Sequence, residues 1–408
     1  MTEFLQLALA LVILISAAKL GGYISLRLGQ PSVLGELIAG LILGPSLLDT
    51  LHHTPFTSQH LDETIALMAE MGVLLLMFLA GLELHIQDLV KSGKVAALAG
   101  TLGVIVPVAM GFGLGRLFAM EPMPALFIGL VLAATSVSIS AQTLMELRVL
   151  RSRVGVGLLG AAVFDDVLVI LGLSIILALT ADGGGGLADV ALVLLRMTLF
   201  LVAASAVGVL ALPRLSRRVD KLPISQGLVA FVLVTLLLYA WAAEALGSMA
   251  AITGAFLAGL FLSRSPLRDR IQASISVIAY GFFVPIFFIS VGLVADAHML
   301  AGSAIWLVVA MVLVAVVSKI VGAGLGARLA GFSNQEALQL GVGMMSRGEV
   351  GLIVATLGVS EGLLSAEVFA GVVGVVIVTT LLTPPALRQL FARPTPPVQS
   401  PPPAAAEE

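Results

Sequence analysis

The sequence predicts an all-α polytopic membrane protein of about thirteen transmembrane helices, and three observations carry that reading. Of 408 residues, 59% are hydrophobic and only 11% charged, with a mean hydropathy of +1.12, beyond the range of water-soluble domains. The apolar runs recur at lengths near the roughly 20 residues a helix needs to cross a bilayer. The basic residues collect in alternate connections, as short cytoplasmic loops do. With no cysteine in the chain, disulfides and thiolate metal sites are excluded.

Taken in order, the spans fall at about 3–27, 31–47, 63–84, 93–118, 123–145, 153–180, 187–212, 223–243, 248–264, 270–293, 299–328, 334–360 and 365–386. The first has Glu3 before it in place of a basic segment, and Lys19 and a Gly-Gly pair after its apolar run. It is therefore expected to be a retained helix and not a cleaved signal peptide. Arg27, Lys91, Lys94, Arg148, Arg151, Arg153, Arg214, Arg217, Arg218, Lys221, Arg264, Arg268, Arg270, Arg328, Arg388 and Arg393 all lie on one side of this count. Only Arg116 lies on the other. The expected orientation is N-terminus outside and C-terminus inside, and an invented or missed helix would scramble the asymmetry. Residues 387–408 read as a Pro-rich disordered cytoplasmic tail.

An odd count invites a search for inverted repeats, with the first six spans pairing with the last six across a linking seventh. The fifth span carries LAATSVSISAQTL (131–144) and the twelfth GVGMMSRGEVGLI (341–353). Both are interrupted by small and polar residues at mid-membrane depth, where irregular backbone is tolerated only if buried or lining a cavity. Paired broken helices point to a transport site. Thr135 and Ser136, inside the first break, are candidate ion ligands. The plainer alternative is that these small residues only serve close helix packing.

The sixth span holds Asp165 and Asp166 side by side with no basic neighbour. A charge at the bilayer centre costs roughly 2.5–3.5 kcal/mol even on lenient scales, so the pair reads as an ion or proton site. Lys319, within the eleventh span, has no acid within a helical turn and needs a partner from another helix, with Asp165 or Asp166 as candidates. Arg347 and Glu349 lie in the second break and are expected to form a buried charge network that compensates the half-helix ends. Glu36 and Glu70 are further acids within spans, each able to line an ion path or to bond a neighbouring helix. His52, His53 and His60 read as a solvated loop. The GVGLLG and GAGLGA strings at 155–160 and 322–327 lie inside spans and are expected to serve packing, because a dinucleotide site needs a preceding strand.

FDDV at 164–167, Lys319, ATSVS at 134–138, PIFFISVGL at 285–293 and SRGEVGLIVA at 346–355 together resemble bacterial sodium/proton antiporters of the monovalent cation:proton antiporter-2 family, the NapA type. The resemblance covers essentially the whole membrane part, residues 1–386. It implies a homodimer in a bacterial inner membrane, each protomer with a dimerisation part (about 1–86 and 223–293), a core part (about 93–180 and 299–386) and a linker helix (about 187–212), with the two broken helices crossing in the core. It also implies Asp166 as principal Na⁺ (or Li⁺) and proton ligand, and Asp165 as its neighbour, salt-bridged to Lys319. The expected activity is electrogenic antiport by alternating access, without cofactor, nucleic acid or enzymatic chemistry. Potassium-preferring or electroneutral exchange and a channel-like pathway are the alternatives. An intramembrane aspartyl protease is disfavoured, since it needs its two Asp on facing helices. Ser346 stands where relatives are expected to carry proline, and the break is expected to be looser for it.

Overall fold

The computed structural model describes residues 2–58, 60–180, 187–293, 305–360 and 362–392. Its helices are α1 (Glu3–Arg27), α2 (Ser32–Leu43), α3 (Leu61–Glu83), α4 (Ile86–Lys91), α5 (Gly93–Leu117), α6 (Pro122–Ala133), α7 (Val137–Glu146), α8 (Arg153–Thr180) and α9 (Leu187–Leu210). The chain continues through α10 (Leu212–Asp220), α11 (Gly227–Ala245), α12 (Ala251–Leu262), α13 (Arg268–Ile278), α14 (Val284–Leu293), α15 (Ile305–Leu329), α16 (Asn334–Gly343), α17 (Glu349–Ser360) and α18 (Ala366–Ala392).

Among the described residues ten segments are long and apolar enough to cross a bilayer, counting α6 with α7 as one and α13 with α14 as another. Shorter apolar helices, Ser32–Leu43, Ala251–Leu262 and Val350–Val359, stand where the second, ninth and twelfth spans were expected. The interruptions fall where the small and polar residues predict them. Residues 134–136 separate α6 from α7, and 344–348 separate α16 from α17.

The last helix departs from expectation. The sequence places its end at 386, just after Pro384 and Pro385, because proline removes a helical hydrogen bond. In the structure α18 runs through both to Ala392, so 387–392 are helix and not tail. The final turns are anchored by burial of Leu387 and by Gln339, whose Nε2 donates to the Leu390 carbonyl at 3.1 Å. Residues 393–408 lie outside the described residues. The connections expected as loops after the third and seventh spans also contain helix, α4 and α10. The latter sets Arg214, Arg217 and Arg218 toward the exterior while burying Leu212 and Ser216.

The helices pack as two groups. In one, α6, α8 and α15 pack around α5, with α16, α17 and α18 alongside; in the other, α1, α2 and α3 pack with α11, α12 and α14. Helix α9 touches both, through α8 and α12. The most extensive packing joins α5 to α15 and explains the GAGLGA string. A Cβ on Gly322 or Gly326 would sit 2.4 Å from the carbonyl oxygen of Leu102 or Leu98. Only glycine allows the two backbones that close, so the string serves packing, as small-residue contacts do between membrane helices.

Candidate ion site at the crossing of two broken helices

The two breaks meet. The Ser136 N–H donates to the Ser346 carbonyl at 2.9 Å, and the Ser346 hydroxyl donates back to the Ser136 carbonyl at 2.7 Å. Ser140, one turn into α7, donates to the Gly343 carbonyl at the end of α16 (2.5 Å). Broken helices expose backbone groups that lipid cannot satisfy, and here each break supplies partners for the other. Ser346 therefore ties the crossing where a looser break was expected. Its hydroxyl makes a bond that a proline at that position lacks the group to form. Gly348 completes the fit, since a Cβ there would lie 2.6 Å from the Ser136 hydroxyl.

Arg347, between Ser346 and Gly348, is fully buried; both terminal nitrogens of its guanidinium donate to carbonyls, while Nε has no hydrogen-bond partner among the described residues. Nη1 donates to Met344 and Met345 (3.2 and 3.0 Å), and Nη2 to Ala315 of α15 (2.9 Å). Met344 and Met345 directly follow the C-terminus of α16, an end where a helix dipole favours positive charge. The backbone of Arg347 is gripped by α18: the N–H donates to Thr379 (3.0 Å), and Thr380 donates to the carbonyl (2.9 Å). The side chain of Glu349 lies outside the described residues.

Successive residues on a helix point about 100° apart, and this separates the two aspartates. Asp165 faces inward. Its Oδ1 accepts from Lys319 Nζ of α15 at 2.5 Å and its Oδ2 from the Thr135 hydroxyl at 2.7 Å, with all three residues buried. Asp165 is thus the acid that Lys319 required. Asp166 instead faces the other helix group, where the Thr253 hydroxyl of α12 lies 3.5 Å from its Oδ2. The Ser136 hydroxyl lies 3.1 Å from that of Ser138.

A cavity of about 900 Å³ opens between the two helix groups. It reaches Ile170, one turn along α8 from Asp166, as well as Ile252 beside Thr253 and Gly348 at the crossing. Asp49, Asp62, Glu70 and Glu244 line it, so the approach is acidic, and Glu70 belongs to this lining. Glu36 does not. It is buried in α2 beside Gly22 of α1. At the cavity rim His52 sits between two carboxylates, Nδ1 2.5 Å from Asp49 and Nε2 3.0 Å from Asp62. The hydrogen bond with Asp49 holds its pKa above the usual histidine value.

Sequence reasoning missed Thr253 and the shape of the cavity. Thr253 is a lone hydroxyl in the apolar run of α12, and nothing in its local pattern distinguishes it from a packing residue. Carboxylate oxygens and hydroxyls are hard ligands suited to small cations, and a carboxylate also carries a proton when the cation is absent.

Residues 12–393 match the family model described as sodium/hydrogen exchanger, transmembrane. The chain is 38% identical over 389 residues to the Na(+)/H(+)-K(+) antiporter GerN of Bacillus cereus, covering 95% of this chain and 96% of that one. It is 34% identical over 375 residues to a Na(+)/H(+) antiporter of Enterococcus hirae, covering 92% and 95% respectively. Its fold matches the solved structure of the sodium proton antiporter MjNhaP1 of Methanocaldococcus jannaschii with a TM-score of 0.70 at 18% identity, covering 96% of this chain and 99% of that one.

Proposed function

The chain belongs to the sodium/hydrogen exchanger transmembrane family, and on that premise we propose that it is a secondary antiporter exchanging Na⁺ or Li⁺ for H⁺ by competition of the ions for Asp166. One observation carries the residue assignment: the carboxylate of Asp165 is engaged by Lys319 and Thr135, while that of Asp166 faces the interface beside the acidic cavity. A single group that holds either a cation or a proton couples the two fluxes without further machinery.

The motion follows from the two-group packing. The group built from α5–α8 and α15–α18 moves as a core against the group holding α1–α3 and α11–α14, which also joins two protomers into a homodimer. The dimer, the bacterial inner membrane and the cytoplasmic C-terminus are supported by the family resemblance and by the one-sided distribution of basic residues. The cavity then corresponds to the outward-facing route, since the acidic loop that lines it follows the second span. Exchange is electrogenic, two protons per Na⁺, when Asp165 releases Lys319 and the desolvated lysine gives up a proton along with Asp166.

A second reading has one specific observation in its favour, the K(+) in the name of the Bacillus cereus relative. Reconstitution in proteoliposomes with a fluorescent pH readout separates the two. Na⁺ and Li⁺ should each collapse an imposed pH gradient and K⁺ should not. A response to K⁺ alone would replace the sodium reading.

A further inference from the structure

Away from the aspartates, on the side where the basic residues collect, three connections converge on a second cavity of about 360 Å³. Four cations line it: Lys91 and Lys94 from the α4–α5 connection, and Arg151 and Arg153 from the α7–α8 connection. The third wall is Phe332, after α15. One-sided charge is expected of cytoplasmic loops. It does not require that two connections about 60 residues apart aim four cations into one concavity closed by a third connection about 180 residues further on.

The cations are held there and not fully neutralised. Arg153 stacks on the Phe332 ring, 4.3 Å from its centroid, and donates to the Gly331 carbonyl at 3.2 Å. Its nearest carboxylate, Glu336, stands 3.5 Å away and already accepts the Ser333 N–H at 2.7 Å in the capping box of α16. Arg151 lies 3.8 Å from Glu83. Among the described residues Lys91 and Lys94 form no ion pair. Val95 in the first turn of α5 and Val156 in the first turn of α8 also line the cavity, so the positive ends of two long helix dipoles border it.

We propose that this cavity is a binding site for a phosphate-bearing anion, either the headgroup of an anionic phospholipid or a soluble phosphate compound. Guanidinium groups match phosphate oxygens in pairs while lysines supply point charge, and basic pockets between membrane helices receive such headgroups. The volume accommodates the phosphate with a small organic substituent. Because Arg153 begins the helix that carries Asp165 and Asp166, about 18 Å farther along at 1.5 Å per residue, the bound anion would brace the cytoplasmic end of α8 against α5 and α16. The site stands independently of which cation is exchanged.

The test uses the full chain in nanodiscs. In discs of phosphatidylcholine alone, inorganic phosphate or ADP is titrated while thermal unfolding is followed. In a second arm, protein purified from discs containing phosphatidylglycerol is analysed by native mass spectrometry for retained lipid. Lys94→Gln with Arg151→Gln keeps Arg153 and its structural bonds, and should weaken binding by about tenfold per charge removed. Saturable stabilisation by a soluble phosphate that the double variant loses identifies a soluble ligand. Retained phosphatidylglycerol that the double variant loses identifies a lipid headgroup. Absence of binding in both arms, or binding that the double variant leaves unchanged, overturns the proposal.

Discussion

Ser136 and Ser346, 210 residues apart, exchange two hydrogen bonds across the helix crossing, one through each backbone acceptor. Ser346→Ala keeps the first and leaves the Ser136 carbonyl without its hydroxyl donor in a buried setting. Unfolding in detergent should show a loss of about 1–2 kcal/mol. Gly348→Ala should cost more in function than Ser346→Ala, since its added methyl must displace Ser136 and shift the crossing itself. Unimpaired transport by Gly348→Ala would mean that the crossing tolerates separation.

Asp166→Asn removes the proposed cation ligand and proton acceptor together. Cation-dependent proton movement in proteoliposomes should fall to background while the protein still purifies as a monodisperse species. Normal exchange by this variant would sink the assignment.

Asp165 and Lys319 should behave as a unit. Asp165→Asn strands a fully buried lysine, a change expected to cost about 3–5 kcal/mol, whereas pairing it with Lys319→Gln removes both charges and should recover much of that loss. Chemical unfolding of the two single variants and the double variant measures the coupling. On solid-supported membranes, wild type should give a steady transport current on a Na⁺ jump, and Lys319→Gln should give exchange with little or no steady current. Robust wild-type exchange without steady current would leave one-for-one stoichiometry.

His52 supplies a pH-dependent contribution. Its folded-state pKa is raised, chiefly by Asp49 and then, against the opposing effect of burial, by Asp62, so the protonated form is favoured on folding. The stabilisation is therefore fully present below the unfolded value near 6.5 and lost as pH climbs through the higher folded value. His52→Gln should lower the melting temperature most below about pH 6 and have little effect in alkaline buffer. The difference should shrink with added salt, because the group is exposed.

At the opposite end of the interface, Glu146 of α7 accepts from both the N–H and the hydroxyl of Ser32 at the start of α2, at 2.6 and 2.5 Å, and from Gln142 at 2.8 Å. A carboxylate at a helix N-terminus is favoured by the helix dipole, and this one fastens one helix group to the other. Glu146→Gln should shift the population toward the form closed on the cavity side. The chain has no native cysteine, so Ile170→Cys gives a clean probe. Labelling from the cavity side should slow in the Glu146→Gln background, and an unchanged rate would remove Glu146 from the conformational equilibrium.

The spans were legible because each must satisfy its own backbone in lipid, which forces length and apolarity into the sequence. The two breaks were legible for the same reason, as polar residues at depth. Lys319 announced that it needed a partner; its own pattern left Asp165 and Asp166 open and the family resemblance named Asp165, a choice that depends physically on how α8 is rotated against α15. Thr253 and the Glu146–Ser32 bond were not visible, since both join helices distant in sequence through side chains common in packing. Ser346 was misjudged for a similar reason: a residue judged by what it replaces says nothing about the carbonyl waiting opposite.

Arg347 bears on how any electrical record of this protein is read. Its guanidinium stays protonated at every physiological pH and is bonded to α15 and to the Met345 carbonyl just after α16, so it travels wherever those segments travel. In each half-cycle of the core motion proposed above it would carry a fixed charge through part of the membrane field, and in the return half-cycle it would carry that charge back. It therefore contributes a capacitive transient to the onset of a current and nothing to the sustained level. Peak amplitudes after an ion jump mix this displacement with turnover, and only the plateau counts the ions and protons that have crossed.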